Sequence, residues 1–356
     1  MKEFNYLLGA TFALTTALTM SSCDDDDINV DDIVDNGFKG TILVNEGKMG
    51  DNNASLTLYS KDGKLTAPAT LQALGDVAND ALLAEDGKIY VALTNSKALV
   101  IADIKSPGFN TVSLPESPRH MAEYGRWIYI SCKGGNVLKY DKETSSVITI
   151  PLEGAYNLED VAILNDTLYV CNSYTIDQQN NYIYMDELLS LDLKNHVQGP
   201  TKKTFVNPNY LTVMNGRLFV LGFGNYANIP YQLGEVNIKT GETTFITNAT
   251  KMSNDMDRLL YSYSETNWTD YSTVTSFGAV DLLSGELDTN PLPNIPDKLK
   301  TSSIYFMKTN PKNGEKLIGV TDYVTTSTIY HVGQDGDLIR KFDSKGMNTN
   351  NALFIN

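Results

Sequence analysis

The chain is poor in positive charge: 28 Lys and Arg stand against 43 Asp and Glu, a formal net charge of −15. Nucleic-acid partners are held by clustered Lys and Arg, so that class is excluded, while acidity itself speaks mainly of solubility. Histidine is scarce too. His120, His196 and His331 fall in separate stretches with no HExxH pair, which counts against a zinc centre. There is no GxSxG elbow, and no other constellation marks catalytic residues, a metal or a required cofactor. Tryptophan is limited to Trp127 and Trp268. The Trp docking of quinoprotein repeats is therefore missing, although the turns "KTGE" and "LSGE" faintly resemble them. Helical periodicity is nearly absent. The one extended apolar run, "YLLGATFALTTALTM", is too short and wrongly flanked for a membrane span.

That run follows Lys2 and leads into "LTMSSC", small residues directly before Cys23. The layout is that of a bacterial lipoprotein signal over 1–22, with Cys23 lipidated; an ordinary cleaved signal is the alternative. Acyl chains anchor by burying methylenes at roughly 0.8 kcal/mol each. Contact with the membrane is then expected through the lipid anchor only. The acidic stretch "DDDDINVDDIVDN" cannot collapse on itself and reads as a solvated tether over 23–37. Two further cysteines, Cys132 and Cys171, end the strand-like runs "WIYISC" and "LYVCNS". A disulfide is conceivable, but buried free thiols fit better because the two occupy matching positions in a repeat.

The repeat is what the sequence has in abundance. "GKIYVALTNSKALVIADI" recurs in altered form as "GRWIYISCKGGNVLKYDK", "DTLYVCNS…DELLSLDLK", "GRLFVLGF…YQLGEVNIKTGE" and "RLLYSYSE…TSFGAVDLLSGE". Each unit has four short strands over about 40 to 50 residues, the period of a β-propeller blade. The units fall at 76–115, 116–152, 155–207, 208–247, 248–292 and 293–343. The first piece, around "TILVNEG" and "NNASLTLYS", has only three strands. The closing "NTNNALFIN" reads as its missing innermost strand. The expected fold is all-β: a seven-bladed propeller with four-stranded blades over 38–356, closed by the C-terminal strand joining the N-terminal blade. Rings of six or eight blades are the alternatives. In this geometry Cys132 and Cys171 lie on equivalent strands of neighbouring blades, beyond bridging distance. The turns "KDGK", "KETS", "KTGE", "LSGE" and "QDGD" look like calcium-loop fragments, but they recur at one place in the repeat, so turn chemistry explains them better.

Loops between second and third strands share one rim with the crossings between blades. The early ones are tight, "TNS" and "KGG"; the later ones are long and carry Tyr174, Tyr182, Tyr184, Phe223, Tyr226, Tyr231, Trp268 and Tyr271 among Asn, Gln and Asp. Such side chains offer broad contact area with hydrogen bonds at modest entropic cost. The starts of the inner strands bring Asn79, Asp80, Arg119, His120, Glu159, Asp160, Asn209, Tyr210, Asn254, Asp255, Ser302, Asn350 and Asn351 to the same channel mouth. Ligand contact competes there with a structural role, because polar residues at strand starts also satisfy turn backbone groups. The binding candidates are Asn79, Asp80, Arg119, His120, Asp160, Tyr174, Tyr182, Tyr184, Tyr210, Phe223, Tyr226, Tyr231, Asp255, Trp268 and Tyr271.

"TILVNEGKMGDNNASLTLYS" followed by "LGDVANDALLAEDGKIYVALTNSKALVIADI" resembles the opening of the YncE-like propeller lipoproteins of Bacteroidetes. The resemblance covers the chain after the tether and is strongest over 40–103. It also gives the acidic run behind Cys23 the look of a surface-export signal. In the BtuG-type branch of that family, a surface propeller captures cobalamin and passes it to a TonB-dependent outer-membrane transporter. The resemblance thus implies a lipid-anchored cell-surface protein of the outer membrane, with cobalamin or a related corrinoid as ligand and such a transporter as partner. It carries no ligand residues across, since the long loops hold no family-specific motif. Rival readings are a glycan-binding or glycan-processing surface protein, a propeller lyase, and a protein-interaction platform.

Overall fold

The computed structural model describes residues 39–60, 65–71, 73–103 and 108–355, and of 65–70 the backbone only. The expected signal at 1–22, Cys23, the tether 23–37 and the "KDGK" turn lie outside the described residues. The N-terminal sheet is built from β1 (Gly40–Asn45), β2 (Ser55–Ser60) and β3 (Leu65–Leu71). Blade 1 follows with β4 (Ala78–Leu83), β5 (Lys88–Leu93), β6 (Ala98–Asp103) and β7 (Phe109–Ser113). Blade 2 has β8 (Pro118–Tyr124), β9 (Trp127–Cys132), β10 (Asn136–Asp141) and β11 (Val147–Pro151). Blade 3 has β12 (Asn157–Leu164), β13 (Thr167–Ile176) and β14 (Tyr182–Asp192), with its outer edge shared by β15 (Val197–Gln198) and β16 (Lys202–Lys203).

Blade 4 comprises β17 (Pro208–Met214), β18 (Arg217–Gly222), β19 (Gln232–Val236) and β20 (Thr243–Thr247). Blade 5 comprises β21 (Lys251–Asp255), β22 (Arg258–Thr266), β23 (Thr273–Asp281) and β24 (Leu287–Asp288). After a one-turn helix α1 (Asp297–Lys300), blade 6 has β25 (Phe306–Thr309), β26 (Lys316–Val320), β27 (Thr326–Val332) and β28 (Leu338–Met347). The last strand, β29 (Thr349–Ile355), pairs antiparallel with β1, Ile42 opposite Leu353. The sheet order β29-β1-β2-β3 makes blade 7 from both ends of the chain. The expected closure is thus what the molecule does, and it removes an unpaired edge from β1.

The apolar residues sort by face. In β5, Ile89, Val91 and Leu93 join a core with Ile42, Val44 and Leu56 of blade 7. Tyr90 and Ala92, on the opposite face, join a core with Ile128, Ile130 and Cys132 of blade 2. A strand covered on both faces needs no alternation with polar residues, which is why the second and third strands read as near-continuous apolar runs. The described residues form seven such cores, each drawn from two neighbouring blades. Cys132 and Cys171 are free and buried, in different cores.

The Asp or Asn closing the third strand has a local task. Asp141, Asp192, Asn237 and Asp281 each accept backbone N–H bonds two and three residues on, at 2.7–3.3 Å. These are Asx turns, and they account for the calcium-loop look of those segments.

Three expected placements are corrected. The inner strand of blade 6 begins at Phe306, so Ser302 is not on it; α1 and its flanks are inserted ahead, with Leu299 buried between blades 5 and 6. Asn254 is the fourth of the five residues of β21, accepting from the Thr212 hydroxyl at 2.7 Å, and so does not start the strand. Asp255 closes the far end of β21, away from the mouth. It is 1% exposed, 3.0 Å from the equally buried Lys316 of blade 6, and bonded to Arg258 at 2.9 Å. A cross-blade ion pair, not a ligand, claims its charge.

Candidate functional site

The long rim segments are upright hairpins rather than loops. In blade 3, β13 and β14 continue to the pair Ile176–Tyr182, and only 177–181 turn. Alternating aromatic and β-branched residues ("YTI", "YIY") make the strands continue. Asp177 caps the turn by accepting from the backbone N–H groups of Gln179 and Asn181, both at 2.8 Å. Blade 5 repeats the design, with β22 and β23 paired to Thr266–Thr273. In blade 4, Asn225 Oδ1 accepts from the N–H groups of Ala227, Asn228 and Ile229. Gly224 there has φ +63°, and a Cβ would sit 2.0 Å from the Ile229 carbonyl oxygen, so the bend requires glycine. The polar residues of these segments therefore shape turns, and the aromatics are left to face outward.

Those aromatics form one connected array. Ring centroids run Tyr174–Tyr182 5.2 Å, Tyr182–Tyr184 6.1 Å, Tyr184–Tyr226 5.7 Å, Tyr226–Tyr231 6.0 Å, Tyr231–Phe223 4.8 Å, Phe223–Tyr210 5.6 Å and Tyr210–His120 5.8 Å. The array descends from the top of the blade 3 hairpin into the channel. Tyr226, Tyr271 and Tyr323, on the turns of blades 4, 5 and 6, all adopt φ between +56° and +62° and are at least 60% exposed. A bulky side chain in that region costs on the order of 1–3 kcal/mol and would give way to Gly or Asn if only the turn mattered.

The channel mouth and lumen enclose about 810 Å³. The inner strands line it through a shared irregularity. The ladders of β4, β8, β12, β17 and β29 with their second strands shift register at Asn79, at Arg119–His120, at Glu159–Asp160, at Asn209 and at Asn350. A bulge frees a residue from the ladder and re-aims its side chain. Here the freed side chains lace one blade to the next. Asn79 donates to the Arg119 carbonyl at 2.8 Å, Asp80 accepts from the Met121 N–H at 2.9 Å, and Asp160 accepts from the Leu211 N–H at 2.9 Å. Arg119 donates twice to Glu159, at 2.8 and 2.6 Å, and once to Asn79 at 2.5 Å. Asn350 donates to the Ala78 carbonyl at 2.8 Å.

His120 lies 3.5 Å from Asp160 and 3.9 Å from Asp80. Burial, with the nearby Arg119 and Lys251 charges, pulls the imidazole down to about 3. Burial, aided by Asp80, pushes the Asp160 carboxyl up to about 8. Asp80 is raised as well, chiefly by burial. His120, Asp80 and Asp160 are thus pushed toward their neutral forms by the low-dielectric setting, beside the charged Arg119–Glu159 pair, and together they make a structural clasp.

Of the residues marked in the sequence, Asn79, Asp80, Arg119, His120, Asp160, Tyr210 and Phe223 line the channel. Tyr174, Tyr182, Tyr184, Tyr226 and Tyr231 join it through ring contacts. Trp268 and Tyr271 do not line it; they top the blade 5 hairpin, 78% and 76% exposed. Sequence reasoning missed Glu46, Lys251, Tyr305, Lys308 and Tyr323. Glu46 accepts from the Tyr305 hydroxyl at 2.5 Å, and Tyr305 meets Tyr323 edge-on at 5.6 Å. Lys251 Nζ stands 5.0 Å over the Tyr210 ring and 5.7 Å over the Tyr305 ring, linking the blade 4 aromatics to those of blade 6. Lys251 opens β21, and its place was readable from the repeat; Tyr305 was hidden by the insertion before β25.

Compared with protein-family models and with curated proteins, the chain matches none. Solved structures resemble it in fold. Hydrazine synthase of Kuenenia stuttgartiensis is 14% identical with a TM-score of 0.58, over 72% of this chain and 76% of that one. BamB from Moraxella catarrhalis is 13% identical with a TM-score of 0.53, over 87% and 84%. A streptogramin B lyase is 12% identical with a TM-score of 0.53, over 76% and 84%. At such identities the likeness concerns the propeller alone.

Proposed function

We propose that this protein is a lipid-anchored outer-membrane propeller at the cell surface that captures cobalamin or a related corrinoid and hands it to a TonB-dependent transporter. The observation that carries the reading is the joined run of seven Tyr and Phe rings leading from the blade 3 hairpin to the channel mouth. A corrin is a broad ring fringed with amides. Exposed Tyr faces suit its apolar surface, and hydroxyls, amides and free backbone groups suit its fringe. The rim is built up on blades 3 to 6 and low over blades 1 and 2, where the turns 94–97 and 133–135 are short. A large ligand can enter from that side. On this reading the protein is a binder with no catalytic residues, and the corrinoid is its ligand rather than a cofactor.

Isothermal titration with cyanocobalamin tests the proposal. Saturable heat and co-elution on gel filtration are expected. No heat and no co-elution at micromolar concentrations discard it.

A glycan-binding reading draws on the exposed Trp268 and Tyr271, which could stack sugar rings on the blade 5 hairpin. Glycan processing is disfavoured, since it needs two carboxylates free to work on the substrate. Asp80 and Asp160 are tied to backbone N–H groups, and Asp255 is closed in an ion pair.

A further inference from the structure

The protein carries a strong negative charge, yet its channel is not lined accordingly. The charged lining residues are Glu46, Asp80 and Asp160 against Arg119, Lys251 and Lys308, with His120 beside them. Arg119 is neutralised by Glu159 at 2.6 Å. Glu46 is held by the Tyr305 hydroxyl, and burial raises its carboxyl above the usual range. Asp80 and Asp160 are raised as well and occupied by backbone donors. Lys251 and Lys308 have no carboxylate within ion-pair distance among the described residues.

Lys251 is the better placed of the two. It opens β21 at the mouth, half-buried, and packs over the Tyr210 and Tyr305 rings. An ammonium carries three donors. Its hydrogen bond to the Tyr210 hydroxyl is long, at 3.4 Å. The aromatic faces hold the charge in position without satisfying its N–H groups. A cation positioned by rings, with donors to spare, at the foot of the aromatic array is the arrangement an anionic substituent on a flat ligand would meet.

We propose that Lys251, flanked by Tyr210 and Tyr305, forms an anion subsite at the channel mouth for a phosphate ester carried by a ring-bearing ligand. In the corrinoid reading above, on which this ligand assignment but not the subsite itself rests, the nucleotide-loop phosphodiester would be the group held.

The test uses phenyl phosphate and phenol as probes, titrated calorimetrically into the purified protein at neutral pH. Phenyl phosphate should bind at millimolar concentration. Lys251→Met should weaken it by about tenfold or more, and Lys251→Arg should keep most of the affinity. Phenol binding should be the same in all three proteins, and the melting temperature of Lys251→Met should match the parent, which separates loss of the subsite from misfolding. Absence of phenyl phosphate binding to the parent, or equal binding to Lys251→Met, overturns the proposal. A parallel titration compares cyanocobalamin with cobinamide, which lacks the nucleotide loop. Lys251→Met should weaken only the former, again by about tenfold. Equal effects on both would overturn the phosphodiester assignment. A parent protein that takes phenyl phosphate but neither corrinoid would retain the subsite and discard the corrinoid function.

Discussion

At the scale of single residues, the rim and the throat are governed by opposite demands. Tyr226 and Tyr323 hold backbone conformations that an L-side chain resists, φ +56° and +62°, while their rings stand exposed. The Tyr226 ring packs on Tyr184 and Tyr231, contacts that offset the backbone strain, so Tyr226→Gly should change stability by no more than about 1 kcal/mol while weakening ligand capture. Thermal melts and titration of the same variant check both halves; a fall in melting temperature with unchanged affinity would assign Tyr226 to the scaffold. In the throat, burial pushes His120 and Asp160 toward their neutral forms. Asp160 is raised from 3.8 to about 8, so its contribution is full below the lower value and is lost as pH rises through the upper one. His120 is lowered from 6.5 to about 3, so its contribution is full above 6.5 and is lost as pH falls toward 3. Between pH 6.5 and 8 only the Asp160 effect remains of the two. The melting temperature should decline across that window, and Asp160→Asn should flatten the decline. An unchanged slope in the variant would move the titration elsewhere.

At the scale of elements, the sequence showed the strands and hid their irregularities. The runs "KIYVAL" and "WIYISC" are legible because burial on both faces demands unbroken apolar residues. The bulges at Asn79, Arg119–His120 and Asn350 are not, because a register shift depends on the partner strand and leaves no local composition mark. For the same reason Asn79, Asp80 and Asp160 could be placed at the channel but not recognised as clasps between blades. In the sequence the blade 3 hairpin looks like a loop, since Asn and Gln at 178–181 outweigh the aromatic alternation on either side. Its tip rests on Asp177, whose carboxyl accepts two backbone N–H groups and the Asn181 side chain at 2.8–2.9 Å. Removing it with Asp177→Ala should fray only the tip, a local loss of about 1–2 kcal/mol. Hydrogen exchange should quicken at the amides of 179–183, with protection at β18 unchanged and the global melt within a degree or two. Faster exchange throughout blade 3 would mean that the hairpin and blade body unfold as one unit.

At the scale of the molecule, stability resides between blades, and the last strand serves two of those junctions. Leu353 belongs to the core shared with blade 1, and Ala352 to the core shared with blade 6. Ile355 and Phe354 pack against the same two cores from partly exposed positions. Because β29 also completes the ladder of β1, losing it would open the ring, bare two apolar faces and expose an unpaired edge at once. A chain shortened by residues 349–356 should therefore lose its single cooperative melt and aggregate. The point variant Leu353→Asp, which places a charge at an 8% exposed position, should cost about 3–5 kcal/mol. Leu338→Asp, on the exposed outer strand of blade 6, is the control and should fall within about 0.5 kcal/mol of the parent. Calorimetric melts decide between them. If the shortened chain unfolds as sharply as the parent, the blades are held by their neighbours alone, and closure through the tail adds nothing to the ring.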